Sequence, residues 1–231
     1  MLFGEIVEPS TRALIYDEEE YPNYTKVEPV WDGDSTLKNI NTLLFIESNK
    51  ITTLIKKFVI GDEKPIKKLN NGGLKVYNFA GDKYIVLVEE QTTYCNGEII
   101  EILKDWISNA KSVYTVTSDS ISSYQNNDMH EKPEVVLRSL TNKSNTLGCI
   151  NLEIPNLVTG LGASVLSYCK HFDLSCELFV VYMDNSPLDS RNTGPVLEMV
   201  KKMGFSVLFV DPKHRFISGA KIPTMSSNLY I

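Results

Sequence analysis

A short glycine-rich stretch from Thr159 to Ser164 could bind phosphate, because such stretches place backbone N–H groups around an anion at the start of a helix. The stretch lacks the third glycine of the Gly-x-Gly-x-x-Gly pattern and the Gly-Lys-Ser/Thr ending of a P-loop. Pro155 also interrupts the strand that should precede such a loop. We therefore interpret Thr159 to Ser164 as the start of a helix whose small residues permit close packing.

The histidines, serines and carboxylates form no pattern typical of catalysis. His130, His171 and His214 lack the spacing of metal ligands. The sequence contains neither the Gly-x-Ser-x-Gly elbow of a serine hydrolase nor the His-Glu-x-x-His motif of a metalloprotease. Asp184 and Asp189 lie in a proline-containing segment and are interpreted as turn formers. We expect no catalytic residue, no metal ion and no cofactor.

The final residues Leu229, Tyr230 and Ile231 combine apolar area, a phenol hydroxyl group and a terminal carboxylate. Such a carboxylate accepts charge-assisted hydrogen bonds from a lysine or from backbone amides. Residues 218–231 are predicted to form a flexible docking tail, and its twelve residues beyond Gly219 could reach roughly 40 Å when extended. The tail would bind a pocket on another protein; the alternative is that Tyr230 folds back onto the body.

Composition limits the classes of partner. With 231 residues, 42% of them hydrophobic, the chain should fold as one α/β domain over residues 1–217. An irregular N-terminal arm is predicted at about residues 1–40 and a mobile loop at about 118–146. The net charge of −6 disfavours nucleic acid. Without an apolar run of roughly 20 residues or a secretory signal, we expect no membrane partner and a cytoplasmic or nuclear location.

Apolar periodicity predicts alternating strands and helices. The predicted strands are 42–46, 74–79 with 83–88 as a hairpin, 111–116, 147–152, 178–183 and 205–210. The predicted helices are 51–59, 97–110, a short one near Glu134 to Leu140, one capped by Asn156 or Thr159 and running to His171, and one that has Pro195 in its first turn and ends before Gly204. This order predicts a three-layer α/β fold with a mostly parallel or mixed central sheet, flanked by helices and followed by the flexible tail.

The four cysteines provide no motif for metal binding or redox chemistry. They form no Cys-x-x-Cys pair, and three of them lie among apolar neighbours. We interpret Cys95, Cys149, Cys169 and Cys176 as reduced residues of the core.

Three segments resemble the proteasome assembly chaperone family, in particular its chaperone 1 branch. Asn156-Leu157-Val158 followed by Ala163-Ser164-Val165-Leu166-Ser167-Tyr168-Cys169 is similar to a helix signature of that branch. Phe3-Gly4-Glu5-Ile6-Val7 resembles its Phe-Gly-Glu-Val-Val start, and Ser227-Asn228-Leu229-Tyr230-Ile231 resembles its Ser-Asn-Ile-Tyr ending. The three segments occur in the family's order and span nearly the whole chain, although the middle diverges.

The resemblance implies a chaperone without catalytic activity that acts on the α-ring of the core proteasome. Members of the family form a heterodimer with proteasome assembly chaperone 2 and insert a hydrophobic-Tyr-any tail between neighbouring α-subunits. That role would fall to Leu229, Tyr230 and Ile231. The family's long acidic N-terminal stretch is shortened here to Asp17 through Glu20, so a function that depends on its length is not implied.

A small-molecule enzyme of nucleoside-phosphorylase type is the alternative, with a pocket near Gly160 to Ser164. A convergent cluster of titratable groups in a deep pocket would favour it. The surface that meets a partner subunit is not defined by the sequence. Tyr77, Phe79, Phe172 and Phe205 are candidates for it, although most such residues are expected to pack in the core.

Overall fold

The computed structural model describes residues 28–32, 39–69, 73–79, 81–89, 94–125, 134–143, 147–184 and 186–207. Most of the predicted N-terminal arm, part of the predicted mobile loop and the whole docking tail lie outside these residues. The boundary between residues 1–217 and 218–231 therefore stays a prediction. In the described ranges, no helix is long and apolar enough to cross a membrane.

Strands and helices alternate along most of the described chain. The strands are β1 (Trp31–Asp32), β2 (Thr42–Ile46), β3 (Lys67–Leu69), β4 (Leu74–Phe79), β5 (Lys83–Val88), β6 (Ser112–Ser120), β7 (Val135–Thr141) and β8 (Cys176–Met183). The helices are α1 (Asn49–Ile55), which continues as a π-helical turn (Lys56–Ile60), α2 (Asn96–Asn109), α3 (Leu161–His171) and α4 (Ser190–Lys202).

All eight of these strands form one mixed sheet in the order β1-β3-β4-β5-β2-β6-β8-β7. The four central strands β5, β2, β6 and β8 are parallel, and the outer strands pair antiparallel. Every residue of β2 and β8 is buried, as expected for parallel strands that are covered on both faces. The predicted mixed sheet is confirmed.

Helices cover both faces of the sheet, because successive side chains of each strand point to opposite sides. Leu43 and Phe45 of β2 pack in a cluster with residues of α2 and α3. Leu44 and Ile46 pack in a second cluster with residues of α1 and α4. The result is the predicted three-layer α/β fold.

Several local predictions agree closely with the structure. The predicted strand 42–46 is β2, and the predicted hairpin is the antiparallel pair of β4 and β5. The helix predicted at 97–110 is α2. These segments have strong apolar periodicity and turn residues at their ends, so local sequence suffices to define them.

The helix predicted near Glu134 to Leu140 is wrong, because this segment forms strand β7. Val135 pairs with Met183 and Thr141 with Glu177 in an antiparallel ladder with β8. β-branched residues favour a strand, and the fully buried β8 needs a partner on its outer side. Tertiary pairing therefore decided a segment whose local pattern was ambiguous.

Three further predictions need correction. Residues 147–152 form only an isolated parallel bridge between Ser139 and Asn151 instead of a strand. Residues 205–207 are not in a strand, and 208–210 lie outside the described residues. Pro195 is the sixth residue of α4 rather than part of its first turn.

The two aspartates interpreted as turn formers have separate roles. Asp184 accepts a hydrogen bond from the backbone N–H of Ser186 at 3.0 Å, which is the pattern of an Asx turn. Hydrogen bonds from the hydroxyl and the backbone of Ser186 lower the pKa of the Asp184 carboxyl group. Asp189 instead caps α4, accepting hydrogen bonds from the N–H groups of Arg191 at 2.8 Å and Asn192 at 3.0 Å.

The cysteines are all free thiols, but only two of them belong to the core. Cys169 and Cys176 are buried and face each other, and a hydrogen bond between their thiols together with burial raises the pKa of Cys176. Cys149 is half-buried, and Cys95 is exposed at the start of α2. Among the residues described, no cluster of three or more potential metal-binding side chains occurs.

Candidate functional site

A cleft of about 500 Å³ opens at the carboxyl ends of β2, β6 and β8. Strand β2 lies between β5 and β6, so the chain leaves it toward one side of the sheet and later crosses to the other. In open α/β sheets such a change of direction creates a crevice that commonly binds ligands. The cleft contains Gly160, so it lies where the enzyme alternative expected a pocket.

Glu47 supplies the negative charge at the start of α3. Its carboxylate oxygens accept hydrogen bonds from the backbone N–H groups of Leu161 at 2.6 Å and Gly162 at 3.0 Å. The predicted caps, Asn156 and Thr159, do not cap this helix. A helix N-terminus attracts anions, and here the protein's own carboxylate fills the position that a bound phosphate would take.

Gly160 makes room for the Glu47 carboxylate. Its φ of 95° and ψ of −169° belong to a region that is nearly restricted to glycine. A Cβ atom at Gly160 would lie 2.4 Å from Oε1 of Glu47. At Gly162, a Cβ atom would lie 3.0 Å from Cδ1 of Leu178 on the sheet. The small residues at this helix start therefore serve close packing, as predicted.

Other polar groups of the cleft also have partners inside the protein. The hydroxyl groups of Ser48 and Ser118 share a hydrogen bond. Lys50 donates from Nζ to the carbonyl oxygen of Asp184 at 2.5 Å, and Asp119 accepts from the N–H of Ser120 at 2.6 Å. The first two of these bonds hold the ends of β2, β6 and β8 together, and the third is local to β6. The described residues that line the cleft include no histidine or cysteine, and their titratable side chains are those of Glu47, Lys50 and Asp119.

A buried arginine lies beside the cleft, on β7. Arg138 pairs with Val180, a cleft residue, and stacks its guanidinium group 5.1 Å from the ring centre of Tyr124. The ring centres of Tyr124 and Tyr182 are 4.9 Å apart. Burial raises the pKa of the Tyr182 hydroxyl group, and the negative charge of Asp119 raises it further. This cluster fastens the segment after β6 to the sheet.

The loop of residues 147–160, which precedes α3, is tied to the body at two points. The N–H of Ser139 donates to the carbonyl of Ile150 at 2.9 Å, and the N–H of Leu152 donates to the carbonyl of Ser139 at 2.8 Å. The Asn156 amide accepts from the N–H of Gln125 and donates to its carbonyl oxygen, each at 2.8 Å. This loop is therefore anchored to β7 and to the segment after β6.

Three large apolar side chains of this loop are exposed, and we call them the apolar loop surface. Ile150 is 61% exposed, Ile154 95% and Leu157 86%. Large apolar side chains that stay exposed are candidates for contact with another protein. Of the four aromatic candidates, Phe172 is exposed, Phe79 is partly buried, and Tyr77 and Phe205 are buried in the core.

Two of these features were missed by sequence reasoning, and a local signal exists for one of them. Glu47 directly follows the apolar strand β2, and a carboxylate at the end of a parallel strand can reach a neighbouring helix start. Leu157 belongs to the family-like segment, but nothing local distinguishes it from the buried Leu161. The predicted tail residues Leu229, Tyr230 and Ile231 lie outside the described residues, so their role stays a prediction.

Comparison of the sequence with known proteins identifies one family. A family model described as proteasome assembly chaperone 4 matches residues 88–231. None of the curated proteins matches the sequence.

The fold is similar to that of several solved structures. PbaA of Pyrococcus furiosus, an archaeal homolog of proteasome-assembly chaperone, has a TM-score of 0.53 and 14% identity over 80% of this chain and 88% of its own. PbaB of the same organism, an archaeal proteasome activator, has a TM-score of 0.50 and 13% identity over 80% of this chain and 92% of its own. A Corynebacterium glutamicum protein of unknown function has a TM-score of 0.51 and 10% identity over 75% of this chain and 80% of its own. At these identities the similarity concerns the fold.

Proposed function

Because the chain belongs to the family described as proteasome assembly chaperone 4, we propose that it acts by binding and assists assembly of the core proteasome. The match over residues 88–231 is the observation that carries this proposal, because it includes most of the cleft, the loop of residues 147–160 and the tail. The three resembling segments favour the chaperone 1 branch, although the family model bears the description of chaperone 4.

In this proposal the protein pairs with proteasome assembly chaperone 2 and binds the α-ring through its tail. Tyr230 would enter an apolar pocket between α-subunits, and the terminal carboxylate of Ile231 would accept hydrogen bonds from a lysine or from backbone amides. Burying one tyrosine and pairing one carboxylate contributes on the order of 3–5 kcal/mol, so the tail alone binds weakly. Contacts of the folded body with the α-ring keep the tail near its pocket and so raise the effective concentration of the tail. We place this activity in the cytoplasm or the nucleus.

The partners of Glu47 favour this proposal over a phosphorylase-type enzyme. An enzyme of that type must bind phosphate, and the helix N-terminus at the cleft is the most favourable anion position there. The Glu47 carboxylate accepts from Leu161 and Gly162 at this position, and its charge would repel a phosphate. The cleft thus has the shape of an enzyme site while its anion-binding groups are already bound.

Deletion of residues 229–231 tests the proposal. The chain is co-expressed with proteasome assembly chaperone 2 of its own organism, and binding to purified α-rings is measured for the intact and the shortened protein. We expect the shortened protein to lose most of its affinity for the ring while it keeps its partner and its melting temperature. Tyr230→Ala should weaken ring binding by about 10- to 100-fold.

Two results would contradict the proposal. If the shortened and intact proteins bind the ring equally, the tail is not the anchor. If the intact complex never binds α-rings, while the purified protein cleaves nucleosides in the presence of phosphate, the enzyme alternative is correct. Tyr230→Phe is a matched control, because it keeps the aromatic ring of the side chain and removes only its hydroxyl group.

A further inference from the structure

The apolar loop surface has no function in the protein's own core. Ile154 and Leu157 are 95% and 86% exposed, whereas Leu161, four residues after Leu157, is 1% exposed. Side chains of this size are normally buried, and two of them only three residues apart that stay in water are candidates for a contact site. Val30 and Phe172 are the other large apolar side chains exposed in the described ranges, and neither belongs to this loop.

The loop presents these side chains on a fixed backbone. Asn156, which lies between Ile154 and Leu157, holds the backbone of Gln125 with two hydrogen bonds of 2.8 Å and also donates to the carbonyl of Glu153 at 2.9 Å. Because the loop is already ordered by these bonds, binding through it loses little conformational entropy. A loop held in this way is suited to recognition.

Most of the charges beside the apolar loop surface are negative. Glu153 is the one charged residue in the sequence from 147 to 160, and it is exposed. Asp119 is also exposed and lines the cleft together with Leu157. Lys50, the cation of the cleft, donates its hydrogen bond to the carbonyl of Asp184. A partner that complements this surface offers an apolar pocket bordered by lysine or arginine.

We propose that Ile154 and Leu157 insert into an apolar pocket bordered by lysine or arginine on the outer face of the proteasome α-ring. The choice of this partner rests on the proposed function. Three side chains form too small a surface for a permanent subunit interface, which buries about 800 Å² on each partner, but they suit a contact that is released after assembly. The apolar loop surface is therefore a second anchor beside the tail.

The length of the chain allows both anchors to bind one ring. Val207 is the last described residue, and the segment 208–231 could span at most about 80 Å if it were fully extended. The tail can therefore reach a pocket some distance from the one that holds the loop. Two linked weak contacts bind much more tightly than either does alone.

The double variant Ile154→Ser/Leu157→Ser tests this inference in the complex with proteasome assembly chaperone 2. We measure its affinity for purified α-rings and expect it to be lower than that of the unchanged protein by about 10-fold or more. Glu153→Gln should lower the affinity by a smaller factor and make it less dependent on salt concentration. Both variants should retain the melting temperature, because the substituted side chains are exposed.

Phe172→Ser is the matched control, measured after the variant is shown to keep proteasome assembly chaperone 2, because Phe172 is also a candidate for the subunit interface. Phe172 is 55% exposed at the far end of α3, about 16 Å along the helix axis from its start. Its replacement removes an exposed apolar side chain of similar size outside the loop. We expect the affinity of this variant for the ring to stay within about 2-fold of the unchanged protein, as for most surface residues outside an interface.

The outcomes separate this inference from the proposed function. If the unchanged complex binds the ring and the double variant binds it equally well, the inference is wrong and the proposed function stands. If the double variant loses proteasome assembly chaperone 2 instead of the ring, the surface belongs to the subunit interface and the inference is also wrong. If the unchanged complex does not bind the ring at all, both proposals fail.

Discussion

The cleft and the apolar loop surface lie side by side and share Leu157, but they differ in where their binding groups are directed. In the cleft, Glu47 and Lys50 form hydrogen bonds within the protein, to the start of α3 and to Asp184. On the loop, Ile154 and Leu157 are directed into solvent. The hydrogen bonds of the cleft thus stabilise the fold, and the exposed side chains of the loop remain available for a partner.

This difference shows that the shape of a pocket does not by itself indicate catalysis. A buried polar group without a hydrogen bond costs free energy, so an acceptor from the protein itself stabilises a helix N-terminus that binds no ligand. Glu47 does so here. An exposed leucine needs no such partner, and its large apolar area stays available for binding.

The largest expected effect tests the role of the cleft in stability. Gly160→Ala should lower the free energy of unfolding by about 2–5 kcal/mol, because the backbone there is restricted to glycine and the Glu47 carboxylate must leave its two N–H partners. Urea denaturation measures this change. Gly148→Ala is the control: Gly148 also has a positive φ, of 68°, but apart from its two chain neighbours no described residue lies within 4 Å of the position that its Cβ would take, so a loss of about 1–2 kcal/mol is expected.

A double-mutant cycle sharpens this test. If displacement of Glu47 causes part of the loss, Gly160→Ala should lower stability less in a Glu47→Ala protein, where no carboxylate remains to be displaced. Fully additive effects of the two substitutions would show that Gly160→Ala does not act by displacing Glu47. The contrast between a cleft that stabilises the fold and a loop that does not would then be weaker than the geometry indicates.

Two leucines four residues apart compare the regions directly. Leu161→Ala should lower the free energy of unfolding by about 2–4 kcal/mol, because Leu161 is 1% exposed and its removal leaves a cavity. Leu157→Ala should change it by less than about 0.5 kcal/mol, because Leu157 is 86% exposed. Thermal unfolding of the two variants checks this contrast. Equal losses would mean that Leu157 packs in the body and is not available to a partner.

The smallest of the expected losses of stability concerns the hydrogen bonds that hold the loop. Asn156→Ala should lower the free energy of unfolding by about 1–2 kcal/mol and speed hydrogen exchange at the amide of Gln125, which loses its acceptor. Asn156→Asp should keep the protection of this amide, because a carboxylate oxygen can still accept from it. Unchanged exchange in Asn156→Ala would show that other contacts hold the loop.

Much of the architecture could be predicted from local patterns. Local sequence is enough to predict the apolar strand β2, the hairpin of β4 and β5 and the amphipathic helix α2, because each pattern repeats within a few residues. The segment of β7 was mistaken for a helix, because its short apolar pattern fits either structure until β8 pairs with it. The interpretation of Thr159 to Ser164 as a closely packed helix start was also correct.

By itself, the sequence determined the alternation of strands and helices, the mixed three-layer fold and the resemblance of three segments to the assembly chaperones. The tertiary structure alone decided that Glu47 caps a helix 114 residues away and that Leu157 is exposed while Leu161 is buried. Local periodicity depends on neighbours within one or two turns of the chain, so it can be read directly. Which carboxylate meets which N–H group, and which leucine faces solvent, depends on strands and helices that come together only when the whole sheet forms.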